Sequence, residues 1–198
     1  MKNLFFFDID TQKDFMLKTG ALYVPGAERI IPKLRRLFDF AAKNEISVIS
    51  TMDTHVADDP EFAEFSPHCV RGTEGWHKLD DTLFLHSLVF STKPGDRNLS
   101  DCVHKNRQII VEKNTFDVFS NPVMARLTRV LPPRAIVFGV ATEYCVKKAV
   151  LGLRNLSVQV VIVEDAVRAI APDTEKTAIE EMRAAGASFV PLASIFDI

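Results

Sequence analysis

Residues 135–153 read AIVFGVATEYCVKKAVLGL. Ala135 to Val140 is apolar at successive positions, without the alternation of a strand that has one wet face, and so fits a strand covered on both sides. Beyond it, Val146, Ala149, Val150 and Leu153 recur at spacings of three and four, the signature of a helix with one buried stripe. The same alternation runs along the rest of the chain. Leu4 to Phe7, Ile46 to Ser50, Leu88 to Phe90, Gln108 to Val111, Val158 to Val163 and Ser188 to Val190 are candidate strands, the first stopped by Asp8 and Asp10. Ile30, Ile31, Leu34, Leu37, Phe38 and Ala41 mark a helix between Pro25-Gly26 and Asn44. Val123, Leu127 and Val130-Leu131 mark another, ended by Pro132-Pro133, and Thr174 to Ala185 a further one. Apolar strands alternating with helices predict a three-layer, doubly wound α/β fold on a mostly parallel sheet, expected to have six strands.

Composition narrows the class. The 198 residues contain no repeat or linker, so residues 1–198 are read as a single domain. At 47% hydrophobic and 25% charged, the chain is neither disordered, collagenous nor a coiled coil. Lys plus Arg number 24 and Asp plus Glu 26, a net charge of -2 that gives no pull toward nucleic acid. Three cysteines, an odd number in a chain able to build its own core, point to free thiols and a cytoplasmic location. The run Leu4-Phe5-Phe6-Phe7 is too short for a signal-peptide core or a membrane span.

In open parallel sheets ligands bind beyond the carboxyl ends of the strands. The residues expected there are Asp8 and Asp10, Asp53 and His55, Glu112 and Lys113, and Thr142 to Cys145. Cys145 would stand where a strand gives way to a helix, whose free N–H groups and dipole favour a thiolate and can stabilise an oxyanion. Asp10 could take the thiol proton and Lys113 could hold the two charges together. Taken one at a time, these residues equally fit a packed cysteine, a strand-capping aspartate and a surface lysine. Asp53-Thr54-His55 with His68 offers two histidines and a carboxylate, a set that leaves coordination positions open on a Zn²⁺-like ion.

Asp10-Thr11-Gln12-Lys13-Asp14-Phe15, Gly20-Ala21-Leu22, Val24-Pro25-Gly26-Ala27 and the GVATEYCV segment at 139–146 resemble the isochorismatase-like cysteine hydrolases, over essentially the whole chain. Asp53-x-His55 with Pro67-His68-Cys69-Val70-x-Gly72-Thr73-x-Gly75 is similar to the nicotinamidase (pyrazinamidase) branch. The resemblance implies a Rossmann-like hydrolase fold with Asp10 as base, Lys113 as triad amine and Cys145 as nucleophile. It implies a cis peptide before Ala141, with the N–H groups of Ala141 and Cys145 as oxyanion hole. It also implies one divalent ion (Zn²⁺, with Mn²⁺ or Fe²⁺ as alternatives) on Asp53, His55 and His68, binding the pyridine nitrogen of substrate. Glu61 aligns with a further, variable ligand, and Glu64 is a less well-placed rival. Phe15, Phe65 and Val140 would line the substrate pocket. The activity implied is hydrolysis of nicotinamide to nicotinate and ammonia through a cysteine thioester, or hydrolysis of another small carboxamide or N-carbamoyl compound.

Two departures from that branch stand out. Lys113 is followed by Asn114-Thr115-Phe116-Asp117-Val118-Phe119 rather than glycine and an Asp-x-Tyr-Ser run, and Glu143 replaces a frequent aspartate. Cys69 is read as packing, Cys102 as inert, and Trp76 has no assigned role. Family members often associate, which makes a homo-oligomer an expectation and the Phe196-Asp197-Ile198 tail a candidate contact. Phe7-Asp8-Ile9-Asp10-Thr11 also resembles the opening of haloacid-dehalogenase-type phosphatases, with Asp8 as nucleophile and Glu164-Asp165 holding Mg²⁺. That alternative lacks the usual glycine after the second aspartate and gives Cys145, His55 and His68 no work.

Overall fold

The computed structural model describes residues 3–93 and 95–197. Its centre is one sheet of β1 (Phe5–Ile9), β2 (Val48–Asp53), β3 (Ser87–Phe90), β4 (Gln108–Lys113), β5 (Arg134–Val140), β6 (Gln159–Arg168) and β7 (Ser188–Val190). The order is β3-β4-β2-β1-β5-β6-β7 and every pairing is parallel. The expectation of six strands therefore falls one short. Both short edge runs join the ladder, Leu88 opposite Ile109 and Phe189 opposite Ile162, although each is partly exposed.

Four strands also run past the apolar stretches that signal them. β1 continues through Asp8 because that carboxylate is satisfied inside the protein. It pairs with Lys78 at 2.7 Å and accepts the Thr11 and Ser50 hydroxyls at 2.8 Å each. β2 likewise reaches Asp53, β4 reaches Lys113 and β6 reaches Arg168.

The helices are α1 (Lys13–Met16), α2 (Ile31–Lys43), α3 (Leu99–Lys105), α4 (Pro122–Thr128), α5 (Lys147–Asn155) and α6 (Pro172–Ala184). α3 lies between the Leu88 to Phe90 and Gln108 to Val111 strands, where the sequence is assigned no element. Its seven residues are too few for a visible period, and its start rests on Asn98, whose side chain accepts the Asp101 N–H. The period-2 geometry of β1 sends Phe5 and Phe7 to one face and Phe6 to the other. Phe5 and Phe7 join a core shared with Val123 and Leu127 of α4, Val150 and Leu153 of α5, and Ala178 and Met182 of α6. Phe6 packs against Leu34, Leu37 and Phe38 of α2 and meets Phe138 edge-on at 5.7 Å. Each such ring taken fully out of water contributes about 1.5–3 kcal/mol.

The chain lays down β2, β3 and β4 on one side of β1, with β3 at the edge and β4 returning inside it, and then β5, β6 and β7 on the other, so the topological switch lies between β1 and β5. They approach closely there. Gly139 has φ +119°, and a Cβ on it would lie 2.1 Å from the Ile9 carbonyl oxygen. The residues that follow Ile9 and Val140 therefore emerge side by side. No helix among the described residues is long and apolar enough to cross a membrane. Phe196 packs on Phe40 of its own chain at 5.2 Å, and Ile198 lies outside the described residues.

Candidate active site

Asp10 directly follows β1 and takes the left-handed conformation, φ +48°. Thr51 on the neighbouring strand holds it there: the Asp10 N–H donates to Thr51 Oγ1 at 3.1 Å, and the Thr51 hydroxyl donates to Asp10 Oδ1 at 2.5 Å. Lys113, the last residue of β4, stands in register with Asp53, the last of β2. Its ammonium lies 2.8 Å from Asp10 Oδ2, pairs with Asp53 Oδ1 and donates to Cys145 Sγ at 3.5 Å. All four residues are buried. Asp10 Oδ2 accepts no aligned hydrogen bond, and it belongs to a cluster in which oxygens of Asp10 and Asp53 and the Cys145 sulfur lie within 4.8 Å of one another.

Burial alone would depress the Lys113 amine, but Asp10 and Asp53 outweigh it and hold the ammonium well above its ordinary range. Burial pushes the Cys145 thiol well up; Lys113 opposes the rise, and the two aspartates add to it. Burial thus favours the thiol over the thiolate that a helix terminus by itself would favour. Burial also lifts Asp53 to about 7, against the pull of Lys113.

Cys145 sits in a π-helical turn, Thr142–Val146, between β5 and α5. Such wide turns occur often at functional sites. The Val140–Ala141 peptide before it is cis. Glu143 in the same turn is buried and accepts the Ile170 and Ala171 N–H groups at 2.9 and 3.0 Å and the Thr174 hydroxyl at 3.1 Å. It ties the cysteine turn to the loop that opens α6.

Beside these groups, Asp53, His55 and His68 each offer a ligand atom within 4.8 Å of the other two. His55 is buried, and neither ring nitrogen makes an aligned hydrogen bond. Asp59 Oδ2 stands 3.0 Å from its Nδ1, leaving Nε2 as the free donor. His68 places Nδ1 2.8 Å from the Ser66 carbonyl, and burial lowers its pKa, so a neutral ring with Nε2 available is favoured. An orphaned buried imidazole beside a second neutral one and a carboxylate fits a divalent ion of the zinc type. Glu61 stands outside that trio, 3.9 Å from His68 Nε2, and Glu64 is exposed.

The loops carrying these groups are fixed by residues that stand in or beside the quoted motifs but to which the sequence gives no role. Gln12 grips the Asp53 backbone from both sides, accepting its N–H at 2.7 Å and donating to its carbonyl at 2.8 Å. Asp14 accepts the Cys69 N–H at 2.7 Å and the Ala21 N–H at 2.9 Å, which fixes the turn after His68. A Cβ on Gly75 would fall 2.0 Å from the Asp14 carboxylate. Trp76 donates to Thr54 Oγ1 at 3.0 Å and lies beneath the Arg71 guanidinium, which gives it a place in the same scaffold. Burial pushes the Cys69 thiol well up, and Cys102 is buried in α3.

A small cavity of about 30 Å³ opens on Cys145. Phe15, Phe65 and Val140 line it, together with Asp53, His68 and Ala141. Tyr144, within the Thr142 to Cys145 stretch expected at the strand end, also lines it; Leu22, Val24, Phe116 and Ile170 complete the lining and carry no signal in the sequence, because their loops reveal their direction only once folded. No arginine or lysine is among the lining residues. By contrast, Asp8 is sealed in its pair with Lys78, while Asp165 accepts the Leu192 N–H and pairs with Lys33. The phosphatase alternative finds no open nucleophile there.

Residues 5–194 match the isochorismatase domain family. The chain belongs to that family. Among curated relatives, this isochorismatase-family hydrolase is 28% identical to the nicotinamidase of Escherichia coli K12, over 93% of each chain. It is 26% identical to the nicotinamidase/pyrazinamidase of Mycobacterium tuberculosis H37Rv, over 92% of this chain and 95% of that one. Among solved structures it resembles the pyrazinamidase of Pyrococcus horikoshii in complex with zinc, with a TM-score of 0.76 and 26% identity over 96% of this chain and 99% of that one. The nicotinamidase/pyrazinamidase of Bacillus subtilis, at 24% identity and a TM-score of 0.77 over 94% and 98%, shares the fold.

Proposed function

We propose that this protein is a cysteine-dependent amidohydrolase that converts nicotinamide to nicotinate and ammonia. The observation that carries the reading is the convergence of Asp10 and Lys113 on Cys145, which itself lines a small apolar cavity, beside the Asp53, His55 and His68 trio. Relatives named as nicotinamidases align over nearly the whole chain.

In the proposed reaction Asp10 takes the Cys145 thiol proton as the sulfur attacks the carboxamide carbon. Lys113 keeps its charge and balances the carboxylate and the developing thiolate. The N–H groups of Ala141 and Cys145 receive the oxyanion. As the carbon–nitrogen bond breaks, the Asp10 proton leaves with ammonia. A water molecule, deprotonated by Asp10, then cleaves the thioester, giving the acid and returning the proton to sulfur. Asp53, His55 and His68 would hold the divalent ion, which supplies a Lewis-acidic contact for the pyridine nitrogen. Phe15, Phe65 and Val140 would bound the ring, with Glu61 at the edge of the ion site.

The lining also favours a neutral amide over N-carbamoyl acids, because a bound carboxylate would find no arginine or lysine in the cavity. The test is ammonia release from nicotinamide, pyrazinamide and N-carbamoyl compounds, with and without chelator. The two aromatic amides are expected to turn over, and chelation to suppress them. Turnover of the carbamoyl compounds alone would overturn the assignment.

A further inference from the structure

Phe15, Phe65, Phe116 and Tyr144 line the cavity, and Phe15 meets the His68 ring at 5.4 Å. Phe65 stands three residues before His68, and Tyr144 is bonded directly to Cys145, so moving either moves a reactive side chain. Phe116 differs. It leaves the end of β4 three residues beyond Lys113, and the turn is pinned independently: the Thr115 hydroxyl accepts the Asp117 N–H at 3.2 Å, and the Asp117 carboxylate accepts the Phe119 N–H at 2.9 Å. Its half-buried ring meets Phe65 edge-on at 5.7 Å and Tyr144 at 5.2 Å, while Phe65 and Tyr144 meet at 6.2 Å. Three segments thus close one aromatic wall, and Phe116 joins the other two.

Resting on the amidase reading above, we propose that Phe116 is the specificity-determining residue that sets the size limit of the substrate, restricting the enzyme to single-ring aromatic amides. The free space in the cavity is only about 30 Å³, room for one or two water molecules, so the aromatic wall leaves no spare volume for a second ring. Removing most of one ring from its wall creates room for a fused second ring. Because Phe116 holds no reactive group, its truncation changes which substrates fit rather than how the bond is broken.

The experiment compares kcat/KM for nicotinamide and for quinoline-3-carboxamide in wild type, Phe116→Ala and Phe116→Leu. A single methylene in an apolar pocket discriminates by about 10–200-fold, so the bicyclic-to-monocyclic ratio should rise at least ~10-fold in Phe116→Ala and less in Phe116→Leu. An unchanged ratio in the folded variants overturns the proposal. If Phe116→Ala does not fold, Phe116→Leu decides by the same criterion. Wild type that releases no ammonia from nicotinamide overturns the underlying functional reading, a result distinct from an unchanged ratio in an active enzyme.

Discussion

Two buried aspartates, Asp8 and Asp10, stand two residues apart and answer to different lysines. Among the described residues Lys78 pairs with Asp8 as its one carboxylate, whereas Lys113 has both Asp10 and Asp53. Asp8→Asn strands a buried ammonium and should destabilise the protein by about 3–5 kcal/mol, read as a lower denaturation midpoint. Asp10→Asn leaves Lys113 paired with Asp53. It should fold and yet lose about 10²–10⁴-fold in ammonia release, the usual worth of a general base. The reverse pattern would return Asp8 to the chemistry. Asp59 offers a test of the ion site that does not depend on turnover. Its carboxylate faces His55 Nδ1 at 3.0 Å, so Asp59→Asn should weaken zinc binding about 10–100-fold in a competition titration.

Among the elements, the strand ends matter most. The apolar runs announce where strands lie but stop short of Asp53 and Lys113, because a buried carboxylate or ammonium is invisible as strand until its partner is known. Helices with a clear period, such as α2 and α6, were legible; the seven-residue α3 was not. The chemically distinctive residues were legible for the opposite reason. Asp10, His55 and Cys145 fall just beyond strands, where a parallel sheet gathers them, and His68 was legible by its residue type and the motif around it, whereas Phe116 and Ile170 carry no such signal. Asp14 and Gln12 act through backbone groups whose positions exist only in the fold. At this scale Gly139 is the sharpest test. Gly139→Ala forces a methyl onto the Ile9 carbonyl and should cost at least about 1–3 kcal/mol by thermal denaturation, separating the strand ends that bear Asp10 and the cysteine turn.

For the whole molecule, the switch between β1 and β5 explains why distant segments share one site. β1 and β5 deliver Asp10 and Cys145 on either side of it, and β2 and β4 bring Asp53 and Lys113 alongside. The ion site draws on β2 and on the loops that cross above it, so occupancy should stabilise the fold as a unit. Zinc at 100 times its dissociation constant should add about 2.7 kcal/mol, visible as a rise in melting temperature that chelator reverses and His55→Ala abolishes. Family membership stands on the match over residues 5–194 and the parallel sheet on its strand pairings, while the chemistry proposed here stands on the thiol. The most direct test is the rate of ammonia release from nicotinamide by Cys145→Ala beside wild type, both metal-loaded and both checked for folding. A loss on the order of 10⁴-fold or more is expected for a missing nucleophile. Turnover at the wild-type rate would contradict the account.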